Sequence, residues 1–155
     1  MVGFDTYLKT MLDRAGIEAR HDGSTTVEAQ HLLLAIAADP AGLPGRVLTA
    51  AGLDHDAIRA ALRREFEQSL NVAGVSATAF DLPPATPDPD RVPQPGASIQ
   101  LALERCLKAG GRRHIQPAHL LLGVLLAEVG TVPRALALSG VDRAALLASV
   151  LETVE

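Results

Sequence analysis

Apolar residues at Phe4, Tyr7, Leu8, Met11, Leu12 and Ala15 recur three and four positions apart, the spacing that lines side chains along one stripe of a helix. The pattern predicts a first helix over about 4–20. Thr25-Thr26-Val27-Glu28 has the form of a capping box, with Thr25 accepting from an amide three residues on and Glu28 reaching back; Asp39-Pro40 is a stop. Together they predict a second helix over about 26–38. Pro44 suits the first turn of a short helix over about 44–51, where a missing amide proton loses no partner, and Gly52 closes it in a left-handed conformation. Asp54 then caps a longer helix whose apolar stripe reads Ile58, Leu62, Phe66 and Leu70.

The periodicity fails from residue 71, and six of the thirteen residues between 83 and 95 are proline, so an extended linker is expected over 71–97. After it the same order of signals returns. Ser98 is placed to cap a helix to about 109 that Gly110-Gly111 ends. Pro117 opens one to about 128, Pro133 opens a short one ended by Gly140, and Asp142 caps the last.

At an offset of 88, His31-Leu32-Leu33-Leu34 falls on His119-Leu120-Leu121-Leu122. Over 46–63 against 134–151, six of eighteen positions are identical (Arg46, Leu48, Gly52, Asp54, Ala57 and Ala60), a helix stop and the next helix cap among them. Punctuation that recurs in register marks a repeat. The expected fold is all-α, with two pseudo-symmetric four-helix repeats forming one compact eight-helix domain: residues 1–70, the Pro-rich linker 71–97, and residues 98–155. Its core is expected to include Leu12, Leu33, Leu34, Leu48, Ile58, Leu62, Leu121, Leu122, Leu136 and Leu146.

Composition narrows the chemistry. Hydrophobic residues make up 48% and only four are aromatic, so Leu, Val, Ile and Ala must fill the core. The formal charge of -4 gives no general pull towards nucleic acid or an anionic membrane. The apolar runs at 32–38 and 120–127 are far shorter than the roughly 20 residues that span a bilayer. Asp5, Lys9 and Asp13 interrupt any signal-like stretch, and the single Cys106 permits no internal disulfide, so a cytoplasmic location is expected; the chain is also expected to be a monomer.

These residues suggest a family. A Val/Ile-x-x-x-His-Leu-Leu-Leu segment followed by Arg-x-Leu-x-x-x-Gly-Val/Leu-Asp, occurring twice after a Phe-bearing first helix, resembles the N-terminal repeat domain of Clp-type AAA+ unfoldases, closest to the ClpC branch. The resemblance implies an all-helical recognition module without catalytic activity. Its partners would be Clp adaptors, substrates or cyclic-peptide ligands, and a Clp ATPase that it serves or for which it acts as a decoy. The sequence has no Gly-x-x-x-x-Gly-Lys-Ser/Thr loop to cradle nucleotide phosphates. In ClpC-like domains a Glu usually precedes each repeated His and helps to recognise phosphoarginine; here those positions are Gln30 and Ala118. The charge-assisted pair is gone, so weak phosphoarginine binding is expected. Phe4 matches the aromatic beside the family's cyclic-peptide surface, which places a docking face at Phe4, Tyr7 and Leu8 with Ser98 and Gln100 as its symmetry-related neighbours. The inter-repeat groove near Gln30 and Ala118 is the second place for a ligand.

Other candidates read as structure. His31 and His119 lack a recurring third ligand, so hydrogen-bonded histidines are expected rather than a metal site. Cys106 reads as a small buried hydrophobe. Arg59, Arg63 and Arg64 read as a solvated face, and Arg112-Arg113-His114 as loop charge. No catalytic residue, cofactor or metal is expected. An enzyme working in the inter-repeat cleft and a helical nucleic-acid-binding regulator are the alternatives.

Overall fold

The helix signals lie where local chemistry puts them. In this computed structural model, which describes residues 3–74, 92–111 and 114–154, eight helices follow in order. They are α1 (Phe4–His21), α2 (Ala29–Ala37), α3 (Leu43–Ala50), α4 (His55–Val72), α5 (Ala97–Gly110), α6 (Pro117–Leu125), α7 (Thr131–Ser139) and α8 (Arg143–Thr153). Asp54 accepts from the Ala57 amide at 2.8 Å and Asp142 from the Ala144 amide at 3.0 Å, so the two halves start their last helices with the same cap. Gly52 sits at φ 81° and Gly140 at φ 79°, both left-handed. After α3 the Leu53 amide returns to Leu48 O at 2.8 Å and the Gly52 amide to Thr49 O at 3.0 Å, which satisfies the carbonyls the helix end leaves open.

The fold is all-α, with one short exception. Thr26–Val27 (β1) and Gln94–Pro95 (β2) form a two-residue parallel pair, Thr26 opposite Gln94 and Val27 opposite Pro95. This corrects the start of the second helix. Thr26 and Val27 are extended, so α2 begins only at Ala29 with Glu28 as its cap, and the Thr25 box does not form. Ser98 does not cap α5 either, because Gly96 holds that position. Pro133 lies inside the first turn of α7 rather than at its start, and α6 ends at Leu125 rather than about 128. Most of the Pro-rich linker, including Asp81, Asp88 and Asp90, lies outside the described residues, as do Arg112 and Arg113.

The packing follows the pseudo-symmetry. α1 lies on α2 as α5 lies on α6, α2 meets α6 between the repeats, and α4 of the first repeat packs against α7 of the second as α8 does against α3. One continuous core results, holding Leu32, Leu33, Leu34, Leu48, Ile58, Leu121, Leu122, Leu136 and Leu146. Leu12 and Leu62 are only partly buried and pack on its margin. The stripe of α4 is also corrected: Phe66 is 57% exposed while its neighbour Glu65 is 7% exposed. Glu65 accepts from Arg134 Nε at 2.9 Å and from the Ser69 hydroxyl at 2.9 Å, so a paired carboxylate fills the place an apolar side chain was expected to take.

Candidate functional site

A groove of about 370 Å³ runs between α1 and α5, and its lining is apolar: Leu12 and Gly16 from α1, Val27 from β1, Pro95 from β2, and Ile99 and Leu103 from α5. Asp13 and Arg20 stand at its α1 edge, and Val92 and Pro93 complete the wall beside β2. Gly16 leaves the floor low, since a Cβ added there would meet nothing within 4 Å.

A polar clamp between the repeats lies next to this groove, its residues adjoining the lining residues Val27 and Ile99 in sequence. Ser98 donates its hydroxyl to Glu28 Oε1 at 2.8 Å and its amide to the same oxygen at 3.3 Å, and the hydroxyl accepts from the Ala29 amide at 2.8 Å. Ser98 therefore satisfies the first turn of α2, across the interface, instead of its own helix. The Thr26 hydroxyl donates to Glu28 Oε2 at 2.7 Å and fixes the other half of the carboxylate. Burial raises the Glu28 pKa, but the bonds from Thr26 and Ser98 and the nearby His31 outweigh it, so the group is held below its ordinary value.

The repeated histidines have a shared structural task. His31 Nδ1 accepts from the Glu28 amide and His119 Nδ1 from the Gln116 amide, each at 2.9 Å, so each ring closes the first turn of its own helix. In the neutral ring the proton is then on Nε2, and in His31 that atom lies 3.3 Å from Asp22 Oδ2. Among the described residues no cluster of His, Cys, Asp and Glu could hold a metal ion.

Asp22 belongs to a larger ionic cluster that the sequence reading missed. Arg59, expected on a solvated face, donates to Asp22 Oδ1 at 3.2 Å and to Glu18 Oε2, while His55 Nε2 lies 2.8 Å from Glu18 Oε1. Burial works against the Asp22 carboxylate, but the His31 and Arg59 contacts prevail and hold its pKa down. The repeat gave no hint of this cluster, because Arg59 aligns with Leu147 and His55 with Arg143.

The proposed docking residues are dispersed. Phe4 and Leu8 are partly buried against the core, and Tyr7 is 7% exposed with a hydroxyl that has no hydrogen-bond partner among the described residues. Burial, with the Asp39 charge adding to it, pushes the Tyr7 phenol above its ordinary pKa. None of the three lines the α1–α5 groove. Ser98 is spent in the clamp, and Gln100 is exposed and donates to Pro95 O at 3.5 Å. Gln30 is partly exposed, whereas Ala118 is buried. Cys106 is buried as expected, and burial lifts its thiol to about 11.

A model of the Clp repeat (R) N-terminal domain matches residues 3–106. The chain belongs to the Clp repeat N-terminal domain family. A search of curated protein sequences finds no match. Among solved structures, the N-terminal domain of the caseinolytic protease associated chaperone ClpD from Arabidopsis thaliana is similar over 95% of this chain and 94% of that one, with a TM-score of 0.65 and 19% identity. The likeness in fold covers residues well past 106, the last that the family match includes. No helix among the described residues is long and apolar enough to cross a membrane.

Proposed function

We propose that this chain is a non-catalytic protein- and peptide-binding module that takes apolar segments of adaptors, unfolded substrates or cyclic peptides, and so feeds, or competes with, a Clp machine. The observation that carries this reading is the α1–α5 groove, open, apolar and edged by Asp13 and Arg20. Pockets of this size and lining suit one or two apolar side chains of a longer ligand. The reading moves the docking face of α1 from Phe4, Tyr7 and Leu8 to Leu12 and Gly16, one to two turns along the same helix. Phosphoarginine is a poor candidate, because Gln30 offers an amide and the Ala118 side chain is out of reach of solvent.

Gly16→Leu tests it. The new side chain enters the groove without meeting a neighbour at its Cβ, and in mid-helix Leu stabilises relative to Gly by roughly 1 kcal/mol. Reduced, carboxymethylated lactalbumin, an unfolded protein, should bind the unsubstituted chain and bind Gly16→Leu at least about tenfold more weakly, which is about 1.4 kcal/mol. Equal binding by both would place the site elsewhere, and no binding by either would remove the peptide-binding reading.

A further inference from the structure

One wall of the groove is a short extended segment, and it is the chain's own, paired with Thr26–Val27. The Gln94 amide donates to Thr25 O at 3.2 Å and the Gly96 amide to Val27 O at 2.9 Å, while Val92, Pro93 and Pro95 lie along the apolar lining. The hold on residues 92–95 is slight. Pro93 and Pro95 carry no amide proton, so neither can donate to the ladder. Val92 is 75% exposed, and both residues of β2 are exposed.

Immediately afterwards the hold becomes firm. Gly96 lies so close to the Glu28 carboxylate that a Cβ would overlap it, and Ser98 is locked to Glu28 and Ala29. The segment is thus a strap held by few contacts that leads into a firmly held point. Beneath it, Val27 is 8% exposed and Ile99 2% exposed, apolar surface that needs a cover. The Thr26–Val27 edge is itself preformed, because the Thr26 hydroxyl is tied to Glu28.

Resting on the reading of the groove as a peptide site, we infer that the ligand is an extended apolar peptide that pairs in parallel with Thr26–Val27 in the place of Gln94–Pro95. Ladder hydrogen bonds to Thr25 O and Val27 O give it affinity, and Val27, Ile99 and Leu103 select apolar side chains. The strap is a tethered competitor. Its occupancy lowers the apparent affinity by the fraction of molecules in which the edge is covered.

Thr26 and Gln94 are paired across the ladder, so the Thr26→Cys, Gln94→Cys double variant can lock the strap by a disulfide and release it by reduction. Cys106, buried and with its thiol raised to about 11, stays out of the exchange. With carboxymethylated lactalbumin as the probe, the oxidised form should bind at least tenfold more weakly than the same protein reduced. Val92→Ser, which loosens the strap, should bind several-fold more tightly than the unsubstituted chain. Far-ultraviolet circular dichroism confirms that each form is folded. Equal binding by the oxidised and reduced forms, with Val92→Ser unchanged, overturns strap displacement and leaves the peptide-binding reading standing. Failure of the unsubstituted chain and of Val92→Ser to bind at all overturns both.

Discussion

In the first repeat, Glu18 and Asp22 at the end of α1 reach Arg59 and His55 on α4 and His31 on α2. In the second repeat the matching helix, α5, ends in Gly110 and Gly111, and the positions of His55 and Arg59 are held by Arg143 and Leu147. Arg143 turns instead to the Leu125 carbonyl at the end of α6, at 3.0 Å, a cation at the negative end of a helix. α5 and α6 meet through close contact: a Cβ on Gly123 would overlap the Ala102 carbonyl oxygen and lie 2.9 Å from the Cys106 amide nitrogen. One fold is thus held in two ways. An ionic cluster needs every partner present and depends on pH, whereas a close helix crossing needs no partner but admits no extra atom.

The sharpest way to break the comparison is to add one carbon to the close crossing. Gly123→Ala should gain about 1 kcal/mol in helix propensity, yet overpacking against backbone atoms costs on the order of 3 kcal/mol, so a net loss of about 2 kcal/mol is expected. Ala35, at the same offset in α2, already carries that carbon and is buried. For a chain of this size the loss corresponds to a fall in Tm of about 4–8 °C. A rise in Tm in a thermal melt would show that the α5–α6 crossing has room, and the contrast between the repeats would go.

Next in size is the import of the second repeat's residue into the first. Arg59→Leu leaves Glu18 and Asp22 without their guanidinium. Breaking a fully buried pair costs about 3–5 kcal/mol, but Arg59 is 27% and Asp22 35% exposed, so screening reduces the expected loss to about 1.5 kcal/mol. A urea titration should show a lower midpoint with an unchanged slope. An unchanged midpoint would mean that the cluster adds nothing to stability and that both repeats rest on apolar contact alone.

The same contrast separates what the sequence disclosed from what it concealed. Asp54, Asp142, Gly52 and Gly140 were legible because each acts on amides or dihedral angles within a few residues of itself. Glu28 was misread because its partner Ser98 is 70 residues away, and no local pattern announces a hydroxyl that caps another helix. Glu65 and Phe66 were exchanged for a related reason. Periodicity marks the apolar stripe, but only the arrival of α7 with Arg134 makes the neighbouring carboxylate the better inward residue. The groove was missed as a whole, since Gly16, Val27 and Pro95 carry no shared motif and meet only once α1 and α5 are in place. The expected docking face joined Tyr7 to Phe4 and Leu8, while the burial of Tyr7 depends on packing that no local pattern shows.

The smallest expected effect concerns the clamp and sharpens the comparison through pH. Glu28 aligns with Gln116, so the second repeat carries at this point an amide that does not titrate. Burial alone would raise the Glu28 pKa, but the Thr26 and Ser98 hydrogen bonds and the His31 ring reverse the sign, and Asp22 is likewise held down by His31 and Arg59. A carboxylate whose native pKa lies below its unfolded value, about 4 for these groups, stabilises the fold fully above that value. The contribution is lost as pH falls through the depressed native pKa. Glu28→Gln should therefore cost about 1 kcal/mol near neutral pH, where it exchanges a charge-assisted acceptor for a neutral one. Below about pH 4 it should cost progressively less, so that the melting temperatures of variant and unsubstituted chain converge, with Asp22 still giving both an acid limb. Melting temperatures that stay a constant interval apart from pH 6 to pH 3 would show that the Glu28 carboxylate is not the acid-sensitive tie between the repeats.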